Sequence, residues 1–425
     1  MTDAGKLDAS GGSAGTAGSA DVGGSSGSGG FGASAGSSGA AGAAGSTLLD
    51  LESIVEPIAS VRVDATGTDT SKSVAMVVAV VAGDQHAVFG YGAKHLGGPP
   101  PDGDTFFGLA SVSKIFTGLA MAELVRRGDV DPQVPAQTYL AQDLTLPQAG
   151  GVAITLEHLV SHRAGFPKFP KYMADRNHDG VMDLLDGEPS NDFPPCCPAW
   201  DYSRDDLRLE LETYDTGGEQ LLDTPGNSSF YSNHGLGLVS IALADHLGLP
   251  DTDTLLRDLV LTPLEMNDSG TRVEPFLTEA DAGKAQGYYD YDGVGVLEEA
   301  PFSDMGVLAG SGEVISTGND MLRMLQAWTG NEPKGLSDAI DLATTPIAIA
   351  QPGMEIAYAL EVGQEGSVTV FNKGGTSNGY LSYIRFSREP AAGVVVLTSN
   401  GTGGGVNSQG VALAIHQAIV DQMLP

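Results

Sequence analysis

Cysteine is almost absent from this sequence. The chain has 425 residues and only two cysteines, Cys196 and Cys197, which are adjacent. Adjacent cysteines cannot join distant segments, so a disulfide framework is excluded. Two packed thiols in a loop or a strained vicinal disulfide both remain open. Two cysteines without neighbouring ligands also do not indicate a zinc site.

Basic residues and long apolar runs are scarce as well. The chain has 21 Lys and Arg against 54 Asp and Glu, a formal net charge of −33. Such a surface repels nucleic acid and anionic lipid, so neither is expected as a partner. The longest apolar run, VAMVVAVVAG at 74–83, is too short to cross a bilayer. It predicts a buried strand, and we expect no transmembrane segment.

The N-terminal part is dominated by three small residue types. Residues 9–46 are almost wholly Gly, Ser and Ala, a composition that cannot bury enough apolar surface to offset the entropy of ordering. We therefore predict a disordered linker over 1–46 and one folded domain over 47–425. The tail resembles the tethers of exported bacterial proteins, which favours an extracytoplasmic location. The start MTDAGKLDAS nevertheless has no recognisable signal peptide.

Strand patterns occur near both ends of the predicted domain and helical patterns between them. SVAMVVAVVAG and HAVFGYG predict a hairpin, and EIAYALEVG, SVTVFN, GYLSYIRFS and AGVVVLTSN predict further strands. A helix is expected after the capping residues of STLLDLESIVEPI, and helical patterns cover 111–165, 231–260 and 406–423. We predict an α+β fold in which one antiparallel sheet is built from the N- and C-terminal parts. Helices flank this sheet, and a mostly helical lobe is inserted in the middle.

Three short motifs occur once each, in a fixed order. Ser-x-x-Lys occurs only at Ser111 and Lys114, Tyr-x-Asn only at Tyr231 and Asn233, and Lys-x-Gly only in FNKGGTSNGY, from Lys373. Each motif alone is weak, but this order is the one that serine acyl-enzymes of the penicillin-recognising type use.

The spacing of the first motif suits nucleophilic catalysis. Residues three apart share a helix face, so the Lys114 amine can reach the Ser111 hydroxyl. Serine needs a neighbouring base, and lysine becomes one when burial or a nearby positive charge lowers its pKa. Lys373 can supply that charge, and Tyr231 can relay the proton. The backbone N–H groups of Ser111 and Thr376 are the expected donors to a developing oxyanion.

These motifs and three longer segments resemble the class C β-lactamase and D-alanyl-D-alanine peptidase family of serine hydrolases. The segments are ITLEHLVSHRAGFP, TPGNSSFYSNHGLGLVSIAL and LAGSGEVISTGNDMLRML, and the likeness spans about 50–420. It implies a β-lactamase/transpeptidase-like fold, with Ser111 as nucleophile, Lys114 as base and Tyr231 as proton shuttle. It also implies substrate binding by Asn233 and by the strand Lys373, Gly374, Gly375 and Thr376, with no cofactor for catalysis.

The peptidase branch of that family is the most similar. CCPAWDYSRDDLRLELETYD resembles its Trp-containing segment and implies a D-alanyl-D-alanine carboxypeptidase/endopeptidase that acts on peptidoglycan peptides. The family usually has Lys-Thr-Gly where this chain has KGG, so Gly374 removes a hydroxyl that helps to hold a carboxylate. A β-lactamase, an esterase and a non-turnover muropeptide or β-lactam binding protein therefore remain alternatives, and the oligomeric state stays open. His162 is interpreted as a packing and capping residue.

A separate motif, DRNHDGVMDLLD at 175–186, matches a calcium-binding loop. It lies within a predicted insertion at about 167–200. Gly180 stands at position six, where the loop turns sharply. A plain acidic surface loop is the alternative, and a calcium-dependent attachment module is a weaker one because only one such loop occurs. The predicted ligands of a structural Ca²⁺ are Asp175, Asn177, Asp179, the Val181 carbonyl, Asp183 and Asp186.

Overall fold

A computed structural model describes most of the chain from residue 48 onwards. The described residues are 48–171, 202–215, 217, 219–271, 283–290, 295–331, 336–399 and 408–424. The predicted linker at 1–46, the calcium loop and both cysteines lie outside them. The helices are α1 (Leu51–Ala59), α2 (Ser113–Arg127), α3 (Leu156–Val160), α4 (Arg204–Asp215), α5 (Asn233–Leu247), α6 (Thr252–Leu256), α7 (Gly318–Gln326), α8 (Ser337–Ala343) and α9 (Ser408–Met423).

Within the described residues, the strands form one large antiparallel sheet and three small two-stranded ones. The large sheet has eight strands in the order β2-β1-β14-β13-β12-β11-β10-β9. Its members are β1 (Ala75–Ala82), β2 (Gln85–Gly92), β9 (Ala348–Gln351), β10 (Met354–Ile356), β11 (Glu361–Glu365), β12 (Val368–Ser377), β13 (Tyr380–Arg388) and β14 (Ala391–Thr398). The small sheets pair β3 (Phe106–Gly108) with β8 (Ile315–Thr317), β4 (Gln148–Ala149) with β5 (Val152–Ala153), and β6 (Gly287–Tyr289) with β7 (Glu298–Ala300).

The large sheet confirms the predicted union of the two ends of the domain. Strand β1 pairs antiparallel with β14, with Val77 opposite Leu397 and Val80 opposite Val394. Every residue of β1 is buried, because the sheet is covered on both faces. On one face Met76 and its alternate neighbours pack with residues of α1 and α9. On the other face Val77 and its alternate neighbours join the larger core, which includes α2 and α5.

The helical region is more broken than the sequence pattern predicts. Helix α2 ends at Arg127 because Gly128 caps it with φ 78°, a left-handed conformation that glycine adopts without strain. The predicted helix over 111–165 is therefore wrong beyond this point, where short strands and the five-residue α3 follow. Gly248, with φ 67°, ends α5 in the same way and divides the predicted 231–260 helix. Among the described residues, no helix is long and apolar enough to cross a membrane.

Candidate active site

Ser111 lies in a tight 3₁₀ turn, Ala110–Val112, that leads directly into α2. The preceding residue, Ala110, has φ 46°, which is rare for a residue with a side chain. Strained backbone of this kind often holds functional groups in place. The turn leaves Ser111 only partly buried at the wall of a pocket of about 540 Å³. Its hydroxyl therefore faces a space large enough for a small substrate.

Lys114 is fully buried behind the serine, near the start of α2. Its Nζ atom donates hydrogen bonds to Ser111 Oγ at 3.1 Å, to Asn233 Oδ1 at 2.5 Å and to the Ser311 carbonyl. Burial lowers the pKa of Lys114 to about 8; the nearby Tyr231 opposes this shift, and the positive charge of Lys373 adds to it. A lysine with this pKa can accept a proton near neutral pH.

Tyr231 contacts the serine from the loop that precedes α5. Its hydroxyl donates a hydrogen bond of 2.7 Å to Ser111 Oγ. The Nζ atoms of Lys114 and Lys373 each lie 5.0 Å from the centre of its ring. Burial alone would raise the pKa of this phenol, but the charges of Lys114 and Lys373, together with the hydrogen bonds to Lys114 and Ser111, lower the pKa to about 8. Tyr231 and Lys114 thus both lie beside one hydroxyl with lowered pKa values.

His162 supports Tyr231 and makes no hydrogen bond to Ser111. It is 3% exposed, and its backbone is left-handed with φ 61°. Its carbonyl accepts a hydrogen bond from the Phe230 amide, its Nδ1 accepts one from the Ser232 amide, and its ring lies 4.6 Å from the Tyr231 ring. Burial, and then the charges of Lys373 and Lys114, hold the pKa of His162 well below its ordinary value. The neutral imidazole fits the packing role that the sequence indicated.

The third motif lies on β12, beside the nucleophile turn. A Cβ atom on Gly375 would lie 2.2 Å from the Leu109 carbonyl oxygen and 3.1 Å from the Ser111 nitrogen. Only glycine therefore permits this close approach of strand and turn. Ser382, opposite Gly375 on β13, also donates a hydrogen bond of 2.6 Å to the Leu109 carbonyl. Thr376 is exposed and lines the pocket.

The structure brings the predicted active-site residues together around one pocket. The lining includes Ser111, Tyr231, Asn233, Lys373, Gly374 and Thr376. Asn233 also binds the lysine amine, a contact that the sequence did not reveal. Among the residues that the structure describes, no cluster of three or more His, Cys, Asp or Glu could hold a metal ion.

Glu361 is a pocket residue that sequence reasoning missed. It begins β11, opposite Asn372 of β12, and its Oε1 lies 3.7 Å from Lys373 Nζ. No motif surrounds this glutamate, because its proximity to Lys373 arises from pairing between strands. It could have been identified from the sequence only by predicting which residues of β11 and β12 pair with each other.

The comparisons with known proteins agree with this arrangement. The Beta-lactamase family model matches residues 62–418. The chain is 25% identical over 349 residues to the D-alanyl-D-alanine-carboxypeptidase/endopeptidase AmpH of Escherichia coli K12, covering 77% of this chain and 80% of that protein. It is also 25% identical over 359 residues to a beta-lactamase of the same organism, covering 76% and 83% of the two chains.

A solved structure shows the same fold. The octameric penicillin-binding protein homologue from Pyrococcus abyssi superposes with a TM-score of 0.68 at 21% identity, covering 87% of this chain and 77% of that one. The family match spans well over half of the chain, and the neighbour shares the sheet-and-helix architecture described above. The chain therefore belongs to the beta-lactamase family of serine hydrolases.

Proposed function

We propose that this protein is a D-alanyl-D-alanine carboxypeptidase/endopeptidase that cleaves peptidoglycan peptides through an acyl-enzyme at Ser111. The observation that carries the proposal is the position of Ser111 Oγ, which receives hydrogen bonds from both Lys114 Nζ and the Tyr231 hydroxyl. The named activity of the AmpH relative supports this substrate class. Peptidoglycan lies outside the cytoplasm, so the proposal implies an extracytoplasmic location.

Acylation begins when Ser111 Oγ attacks the carbonyl carbon of the penultimate residue. The Lys114–Tyr231 pair accepts the hydroxyl proton as the new C–O bond forms. The backbone N–H groups of Ser111 and Thr376 stabilise the negative oxygen. The C–N bond then breaks, and the same pair returns the proton to the leaving amine.

Deacylation repeats these steps with water. The pair removes a proton from a water molecule, whose oxygen attacks the ester carbon of the acyl-enzyme. The bond to Ser111 breaks, the serine recovers its proton, and the free acid leaves. Asn233 is proposed to bind the amide on the acyl side, and Lys373 to face the leaving-group side.

An esterase is the second candidate function, and Gly374 favours it. This glycine supplies no hydroxyl to hold the free carboxylate of a peptide or a β-lactam. A neutral ester needs no such contact, so its turnover would not suffer from the change. A β-lactamase is a third candidate because a relative carries that name.

Incubation with a fluorescent penicillin, followed by intact-mass measurement, tests the proposal. We expect a stable adduct on the wild type and none on Ser111→Ala. Rapid hydrolysis of the drug would instead identify a β-lactamase. Ser111-dependent cleavage of nitrophenyl esters without an adduct would identify an esterase. Inactivity in all three assays would contradict an enzyme and favour a binding protein.

A further inference from the structure

The end of the pocket at Lys373 contains an acidic residue as well as the lysine. Glu361 is the only acid among the described residues that line the pocket. Its side chain is 35% exposed and its Oε1 lies 3.7 Å from Lys373 Nζ, whose own side chain is nearly buried. The lysine charge that faces the leaving group is therefore already partly neutralised by the protein.

Apart from Lys373, the residues beside Gly374 add no positive charge to this end of the pocket. Gly374 lies opposite Tyr383 in the sheet, and a Cβ atom there would lie 3.2 Å from the Tyr383 ring. The ring thus occupies the space beside the missing side chain. Tyr383 and Gln409, which line this part of the pocket, are both uncharged. A carboxylate placed beside Lys373 would share that lysine with Glu361 and meet the like charge of this glutamate. Lys168 is the other lysine of the lining, and its carbonyl accepts a hydrogen bond from the Asn233 amide, on the side of the pocket proposed for the acyl group.

We propose that Glu361 is a specificity-determining residue that favours leaving groups without net negative charge over those with a free carboxylate, such as the amino acid that a carboxypeptidase releases. The favoured substrates include peptides in which the leaving residue has its carboxylate masked as an amide or an ester. They also include neutral esters. A masked carboxylate avoids the repulsion by Glu361, and the N–H of an amide can donate a hydrogen bond to it. The inference rests on the proposed acyl transfer at Ser111 and specifies which leaving groups that reaction prefers.

A pair of matched esters tests this selection without changing the acyl group. The substrates are the N-acetyl-D-alanyl esters of 3-hydroxybenzoate and of 3-hydroxybenzamide, each rate divided by its rate of non-enzymatic hydrolysis. For the wild type we expect the benzamide ester to have the higher kcat/KM. Glu361→Gln keeps the shape of the side chain and removes its charge. The kcat/KM for the benzoate ester, divided by that for the benzamide ester, should therefore rise about tenfold.

Glu355→Gln is the matched control, because it makes the same charge change at an exposed position on the neighbouring strand β10. Its ratio should remain that of the wild type. If Glu361→Gln changes both esters equally, Glu361 only positions Lys373 and the inference is wrong, although the acyl transfer stands. If neither ester is turned over in a Ser111-dependent way, the proposed function fails and the inference fails with it.

Discussion

The Tyr231 hydroxyl lies 2.7 Å from Ser111 Oγ and donates a hydrogen bond to it. The phenol is the donor in this hydrogen bond, so it must give up its own proton before it can accept the one from the serine. The adjacent lysine charges make this loss easier by lowering the pKa of Tyr231 to about 8. The nucleophile and its proton acceptor are thus held together before any substrate binds, which limits the reorganisation needed for catalysis.

Removal of the Tyr231 hydroxyl should therefore slow the chemistry. We expect Tyr231→Phe to lower kcat by roughly 10²-fold or more, because general acid–base catalysis contributes on that order. Steady-state kinetics with a neutral ester measures the effect. Tyr214→Phe makes the same chemical change in α4, against Phe166, and should retain activity. Equal activity of Tyr231→Phe and the wild type would show that Lys114 alone takes the proton.

The activity should rise with pH through about 8. Both Lys114 and Tyr231 have pKa values lowered to about 8, so the deprotonated base forms on the alkaline side of that value. The charge of Lys373 contributes to both shifts, so Lys373→Gln should raise both pKa values. The ascending limb of kcat/KM for a neutral ester should then move to higher pH.

The control for this pH shift is Lys72→Gln, which removes one positive charge at an exposed ion pair with Asp69. Its kcat/KM should rise over the same pH range as that of the wild type. The pH at which kcat/KM rises is compared, and not its maximal value, because Lys373 also lines the substrate pocket. An unmoved limb in Lys373→Gln would contradict electrostatic control of the base.

The contact between β12 and the nucleophile turn predicts that Gly375 cannot be replaced by a residue with a side chain. A methyl group at Gly375 would lie 2.2 Å from the Leu109 carbonyl oxygen, so Gly375→Ala must push the strand and the turn apart. We expect a loss of about 1–3 kcal/mol in the free energy of unfolding and a large loss of acylation rate. Chemical denaturation and adduct mass measure the two effects.

Gly363→Ala on β11 is the matched control, because its added methyl group would meet only Val370, at 3.6 Å. Its stability and acylation should remain near those of the wild type. Equal behaviour of the two variants would show that close approach at Gly375 is not needed.

We propose that the loop at 175–186 binds a structural calcium ion. Binding only to the folded state stabilises it by about 2.7 kcal/mol at a hundredfold excess of ligand over Kd. Calcium should therefore raise the melting temperature, and a chelator should reverse the rise. Asp175→Ala removes the first predicted ligand and should abolish the response. An unchanged melting temperature of the wild type would contradict the site.

Local spacing and order in the sequence were enough to predict a group of residues that the fold brings together. Ser111, Lys114 and Tyr231 belong to this group, and their hydrogen bonds join them in the structure. The valine-rich β1 was found because a strand buried on both faces has no polar alternation. Gly128 could have ended the predicted helix, since glycine is the usual cap.

Other features depend on contacts between distant parts of the chain. His162 binds both neighbours of Tyr231 across a sequence separation of about 70 residues, so no local pattern shows this support. Glu361 meets Lys373 only because β11 pairs with β12 in one register. Both could be identified only once the fold was known.

The most direct test of the account is capture of the acyl-enzyme itself. An N-acyl-D-alanyl ester is mixed with the wild type and with Ser111→Ala, quenched in acid within seconds and digested for peptide mass spectrometry. We expect the acyl mass on the peptide that contains Ser111, in the wild type alone. Turnover of the ester with no acyl mass on that peptide, or with equal rates in Ser111→Ala, would contradict a covalent intermediate at this serine.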